Sequence, residues 1–304
     1  MRVTLMHNPT AGSWSQRGDE LVALVRAAGH EVTYQSTKAQ ELTHALEHPG
    51  DLMLIAGGDG TVTDVVPKIL HYDVPVAILP VGTANNIAST LGVRGTPQEI
   101  AAGLQSAIRR PLDVATARGP WGAARFVESA GVGLFAAMLR DAKRADAHPD
   151  RGTAGADDFE RGLRILQRSL SRARSVPRRV EADAENLSGS YLLVAVMNIS
   201  QIGPRVELAP RANPGDGQLD IVLLREEDRA SLGLYIKSLL QGQPAALPVR
   251  TVRARHIRLG WEAGAGHLDD QLWPDDARAE ASPDTPVVEV EIIDPPLQVL
   301  VPAG

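Results

Sequence analysis

The chain has 304 residues, with 31 Lys+Arg against 37 Asp+Glu, a formal net charge of −6, 43% hydrophobic residues and no cysteine. The missing cysteines exclude a disulfide framework, a thiolate zinc site, an iron–sulfur centre and a cysteine nucleophile, leaving carboxylates and histidines for any metal. A negative balance without a block of like charge argues against a nucleic-acid partner, and no apolar run reaches the roughly 18–20 residues of a spanning helix. The start, Arg2-Val3-Thr4-Leu5-Met6, lacks a basic-then-apolar leader, so the expectation is a cytoplasmic protein, at most peripheral at a membrane.

Short β-branched runs alternate with amphipathic segments through the first third. Strands are predicted at Val3 to His7, Glu31 to Gln35, Leu52 to Ala56 and Val76 to Leu79. Between and after them come helical patterns ending near Gly29, over Lys38 to Glu47, over Thr61 to His71, and from Asn85. Strand runs without polar interruption, separated by helices, indicate a doubly wound parallel sheet covered on both faces. After about Pro111 the strands become frequent and alternating, at Ser190 to Asn198, Gln218 to Leu224, Thr251 to Leu259 and Val287 to Ile293. Two helical patterns interrupt them, Asp157 to Arg172 and Arg229 to Gln241. Ala145 to Ala156 reads as a mobile loop, and Glu262 to Gly266 and Pro274 to Pro283 as hairpin connections. The predicted organisation is an α/β domain with a mostly parallel sheet over residues 1–115 and a mainly-β sandwich over 116–304.

The strongest chemical signal is Gly57-Gly58-Asp59-Gly60-Thr61, between a buried strand and a helix start. Glycines let a backbone approach a ligand closely, and a helix N-terminus offers N–H groups to an anion, so this loop suits phosphate. Thr61 is placed to cap the helix or bond a phosphate. The Asp59 carboxylate would repel phosphate without a cation between them, which suggests Mg²⁺. A second loop, Pro80-Val81-Gly82-Thr83-Ala84-Asn85-Asn86, again opens a helix, with Thr83 and Asn85 as neutral partners for a nucleotide. Asn8-Pro9-Thr10-Ala11-Gly12 ends the first strand and Thr37 the second. Such loops face one crevice at the carboxyl ends of parallel strands. The histidines lack metal-site spacing, and neither a G-x-S-x-G elbow nor a P-loop is present.

The order and spacing of Asn8-Pro-x-Ala-Gly12, Gly57-Gly-Asp-Gly-Thr61 and Pro80-x-Gly-Thr-x-Asn85 resemble the diacylglycerol kinase catalytic-domain family, which includes bacterial lipid kinases and sphingosine kinases. Glu128-Ser-Ala-Gly-Val-Gly133, Asn198 with Gly203, Ala209-Pro-x-Ala212 and Asp216-Gly-x-Leu-Asp220 extend the resemblance over nearly the whole chain. It implies an NAD kinase/diacylglycerol kinase-like fold whose last strand, near Leu297 to Pro302, returns to the first domain. It also implies ATP held by Asn8, Thr37, Gly57, Gly58, Asp59, Gly60, Thr61, Thr83 and Asn85. A structural Mg²⁺ is implied at the Asp216 side chain with backbone oxygens around Asn213 and Gln218, with Asp113 near its water network. A hairpin turn without metal is the alternative for Asp216-Gly217.

Two departures bear on chemistry. Asn86 stands where many relatives are acidic, and Asp269-Asp270-Gln271 stands where the family carries Asp-Gly-Glu, whose Glu deprotonates the attacking hydroxyl. A Gln amide is no general base. Either Asp270 or Asp269 replaces it, or transfer proceeds by positioning and electrostatics, or catalysis is weakened. The expected activity is ATP- and Mg²⁺-dependent phosphorylation of a lipid hydroxyl. A soluble-metabolite kinase related to NAD kinases and a catalytically weakened nucleotide- or lipid-binding homologue stay open. The amphipathic helix Phe159 to Leu170 reads as packing on its own β-domain, with peripheral membrane contact through Arg161, Arg164 and Arg168 as the alternative.

Overall fold

The structure, a computed structural model, describes residues 1–10, 17–38, 49–69, 73–147, 158–243, 245–261, 266–274 and 286–303. The chain divides into two compact units. The first comprises Met1–Asp113, Pro214–Asp216 and Asp294–Gly304, the second Val114–Asn213 and Gly217–Ile293.

In the first unit, strands β1 (Arg2–His7), β2 (Glu31–Ser36), β3 (Leu52–Gly57) and β4 (Val76–Pro80) form a parallel sheet in the order β2-β1-β3-β4. The end of the strand Val287–Val301 adds to it in parallel, with Val299 opposite Val76. The expected breaks between Val287 to Ile293 and Leu297 to Pro302 are absent, since one continuous strand covers both. All six residues of β3 are buried, as a strand covered on both faces requires. Helix Gly18–Ala27 buries Leu21 and Val25 at a spacing of four, and helix Asp59–Ile69 buries Val62, Val65, Val66 and Ile69 on one stripe. Helix Pro97–Gly103 begins on a reciprocal Thr96 and Glu99 capping box with Pro97 at its first position. Because β1 lies between β2 and β3, the order of connections reverses there, which opens a crevice at the carboxyl ends of β1 and β3.

The second unit is a sandwich. A six-stranded sheet runs Arg250–Ala254, Leu219–Leu224, Leu193–Met197, Ser129–Gly133, Gly266–Leu268 and Gln271–Leu272, with antiparallel neighbours throughout. Its side chains alternate between two cores. Val194, Val196, Leu219, Ile221 and Leu223 pack between the sheets with Phe126, Leu259 and Trp261. Leu193, Ala195, Met197, Val222 and Leu224 face the other way, with Phe135, Leu163, Leu166 and Ile236 from helices Leu134–Ala147, Asp158–Arg172 and Arg229–Leu240.

The predicted strand Thr251 to Leu259 is divided at Arg255 into Arg250–Ala254 and His256–Gly260, which join different sheets. The Asp183 carboxylate stabilises this switch by accepting the backbone N–H groups of Arg255 and His256. Ser190 to Asn198 likewise divides at Leu192. Ala145–Ala147 are helical and not loop. The helix over Lys38 to Glu47, most of the loop before Ala156, and both predicted hairpin connections fall largely outside the described residues. No described helix is long and apolar enough to cross a membrane.

The two-sided packing makes a direct prediction. Ile221→Ala, at a fully buried position, is expected to cost about 2–5 kcal/mol, whereas Leu234→Ala, at 67% exposure, is expected to stay within about 0.5 kcal/mol. Urea unfolding of the two variants against the parent checks the contrast.

Candidate functional site

The crevice of the first unit is built by loops that fasten one another. Helix Asp59–Ile69 begins two residues earlier than the sequence pattern predicts, so Asp59 lies in its first turn. From there its carboxylate accepts the backbone N–H groups of Asn86 and Ile87, each at 2.9 Å. Asp59 thereby satisfies the first amides of the short helix Asn86–Thr90. The two loops also touch through glycine. A Cβ on Gly82 would overlap Gly58 Cα, and one on Gly58 would lie 3.1 Å from Gly82 Cα. Asn85, in the left-handed region at φ 55°, closes its own loop. Its Oδ1 accepts from Gly82 N, and its Nδ2 donates to the carbonyls of Gly82 and Pro80.

Asn8 joins the same ladder through Thr61. Asn8 Nδ2 donates to Thr61 Oγ1 at 3.3 Å, and its Oδ1 accepts from Thr10. Thr61 is buried and ties two loops together, so it does not act as the helix cap. Thr37 N donates to the His7 carbonyl, and the buried Thr37 hydroxyl has no partner among the described residues. Thr83 is exposed at the tip of its loop, and Gly60 is exposed in the first turn of the helix. Ala11 and Gly12 lie outside the described residues. Asp113 is buried, its N–H donates to the Pro214 carbonyl, and Gly215 packs on Pro111 with no room for a Cβ. This sets Asp113 beside the turn that carries Asp216.

Among the described residues no group of three or more acidic or histidine side chains gathers into a metal site. The predicted donor set at the turn is one carboxylate, Asp216, with the carbonyls of Asn213 and Gln218. All are oxygens, as a hard divalent cation requires, and Gly217 at φ 70° bends the chain between them. Donors of this type suit a hard divalent cation such as Mg²⁺.

In the second unit, strand register gathers the polar residues at one end of the six-stranded sheet. Arg253 lies opposite Asp220, Asp220 opposite Met197, and Met197 opposite Ser129. Asn198 Nδ2 donates to the Val127 carbonyl, and Asn198 N to that of Glu128. Asp269, at φ 50°, takes the N–H groups of Val127, Glu128 and Ser129 on its carboxylate. These contacts commit its buried carboxylate to the backbone. Asp270 and Gln271 are both exposed at the adjoining turn and strand. The clamp role of Asp269 had no signal in the sequence, because its partners lie about 140 positions away.

Burial pushes the Asp269 carboxyl up to about 7, against the pull of its three amide donors. Neighbouring His267 is fully buried against Phe135, and desolvation lowers its imidazole to about 3.

Two family models match the chain. Residues 2–117 match the diacylglycerol kinase catalytic domain, and residues 152–301 match the YegS C-terminal NAD kinase beta sandwich-like domain. A diacylglycerol kinase of Bacillus subtilis is 25% identical over 252 residues, covering 80% of each chain. A Stenotrophomonas maltophilia protein named "Probable lipid kinase YegS-like" is 28% identical over 257 residues, covering 80% of this chain and 77% of its own. A crystal structure of a diacylglycerol kinase from Bacillus anthracis shares the fold at a TM-score of 0.69 and 22% identity, covering 99% of this chain and 96% of its own.

Two outcomes are expected. Gly82→Ala forces the loops apart at Gly58 and lowers stability by about 1–3 kcal/mol, read by thermal unfolding. His267 stays neutral in the fold at pH values where the unfolded chain is protonated, so its contribution is complete above about pH 6.5 and lost as pH falls toward 3. Relative to His267→Gln, the parent therefore loses up to about 1.4 kcal/mol per pH unit across that window, read as urea midpoints against pH.

Proposed function

Because the chain belongs to the diacylglycerol kinase catalytic-domain family, we propose that it is an ATP-dependent lipid kinase that transfers the γ-phosphate to a lipid hydroxyl. The observation that carries this reading is the pair of glycine loops after β3 and β4, packed backbone to backbone and held by Asp59. Gly58 and Gly60 bring main chain without side-chain bulk to the start of helix Asp59–Ile69, and a helix N-terminus suits an anion. The buried hydroxyl of Thr37, with no partner among the described residues, supplies a further polar contact for the nucleotide.

Asp59 then has two tasks. It holds the second loop in place, and its carboxylate would help to hold the cation that accompanies ATP. When bound with the nucleotide, Mg²⁺ would supply charge neutralisation at the phosphate oxygens. Asn85 acts through its loop, because its amide is committed to Gly82 and Pro80. Asp216, Asn213 and Gln218 would hold a structural Mg²⁺, with Asp113 stabilising the turn through Pro214.

The acceptor hydroxyl loses its proton during transfer. Gln271 cannot take it, and Asp269 is committed to three amides, which leaves Asp270 as the exposed carboxylate in that segment. Phosphoryl transfer through a loose transition state depends chiefly on positioning and charge neutralisation, so a modest base suffices. The exposed Gln271 also supports a second reading, a weakened kinase whose nucleotide site is intact.

An assay with γ-labelled ATP and a panel of diacylglycerol, sphingosine and NAD separates the readings. Labelled lipid is expected, and Asp59→Ala should reduce it by about a hundredfold or more. Labelling of NAD alone would identify a soluble-metabolite kinase. Gln271→Glu raising turnover by about a hundredfold supports the weakened site. An unchanged rate supports Asp270 or transfer without a strong base.

A further inference from the structure

We propose that the outer face of the helical layer in the second unit, the arginine stripe of helix Asp158–Arg172 together with Leu234, docks on an anionic lipid surface. The occupant rests on the lipid kinase reading, but the surface is defined independently of it.

Arg161, Arg164, Arg168 and Arg172 are spaced by three, four and four residues, which places them on one stripe of the helix. Leu163, Leu166 and Leu170 occupy the opposite side and are buried in the core beneath the layer. The helix is therefore sharply divided, with its apolar face consumed by its own sheet and its basic face turned outward. Arg161 pairs with Asp146, and Arg164 with Glu160. Arg168, Arg172 and the following Arg174 are exposed and form no ion pair with a described residue. On the helix packed alongside, Lys143 and Arg144 are exposed as well. Such a concentration of uncompensated cations stands out in a chain whose net charge is −6.

An apolar anchor adjoins the basic end. Helix Arg229–Leu240 is tied to the end of the arginine helix through Arg229, which donates to the carbonyls of Leu170 and Ala173. Its buried side carries Leu232, Tyr235 and Ile236, and its outward side presents Leu234 at 67% exposure, with Lys237 one turn on. Basic side chains beside an exposed leucine match the headgroup region of an anionic bilayer, where phosphates meet arginine and a short apolar side chain enters the acyl boundary. A single-stranded nucleic acid would instead call for exposed aromatic platforms. The aromatic residue of the arginine helix, Phe159, has the Arg205 guanidinium 5.5 Å over its ring.

Vesicle sedimentation tests this with the full chain, using phosphatidylcholine with and without phosphatidylglycerol, and single-stranded RNA in parallel. Binding should require phosphatidylglycerol and fall with salt. The R168Q/R172Q/R174Q variant should lose about fivefold in affinity per arginine, roughly a hundredfold in all. The same variant should keep its activity on a short-chain diacylglycerol dispersed without vesicles, which separates failure of the docking surface from failure of the kinase reading. Equal binding to both vesicle types, vesicle binding unaffected by the triple substitution, or retention on RNA without vesicles would each overturn the proposal.

Discussion

The carboxylate of Asp59 is the contact on which the crevice of the first unit depends. It leaves the first turn of one helix and accepts the first two amides of another, fixing the loops after β3 and β4 to each other. Everything nearby is consistent with that constraint. Gly58 and Gly82 must lack side chains because the carboxylate draws their backbones together, and Asn85 must accept a left-handed conformation to turn the second loop into range. Asn8 then closes the ladder from β1 through Thr61. Binding phosphate requires main-chain donors held in place before the ligand arrives, and this arrangement supplies such preorganisation without long side chains.

The second unit applies the same device to a different end. Asp269 gathers three successive amides, Asn198 fastens the carbonyls beside them, and antiparallel register brings Asp220 and Ser129 into the same row. Both units thus use a buried or half-buried carboxylate to hold backbone, while the groups expected to meet ligands, Thr83, Asp270 and Gln271, stand exposed. The acidic residues most visible in the sequence are in part scaffolding for the site.

Much of this was legible from residues alone. The fully apolar run Leu52 to Ala56 identifies a strand buried on both faces, and so does the apolar run Leu193–Met197, whose side chains divide between two cores on either side of one sheet. The glycine loops could be placed at strand ends because period and turn chemistry change together at Gly57 and Gly82. Where the reading failed, long-range contacts decided. Helix Asp59–Ile69 starts early because Asp59 is held by Asn86 and Ile87, and the strand pattern over Thr251 to Leu259 breaks because Asp183 captures the amides at Arg255 and His256. Thr61 reads as a cap by its position, yet its Oγ1 accepts from the side-chain amide of Asn8, 53 residues earlier. Local pattern has no access to such partners.

The central claim is that the loops joined by Asp59 form a nucleotide site. Isothermal titration of Mg²⁺-ATP into the full chain, and into Asp59→Asn, tests it most directly. The account predicts saturable one-to-one binding by the parent and a loss of about tenfold or more in the variant, because a neutral amide cannot hold both amides of the second loop with charge-assisted hydrogen bonds. No binding by the folded parent, or equal binding by the variant, would contradict it.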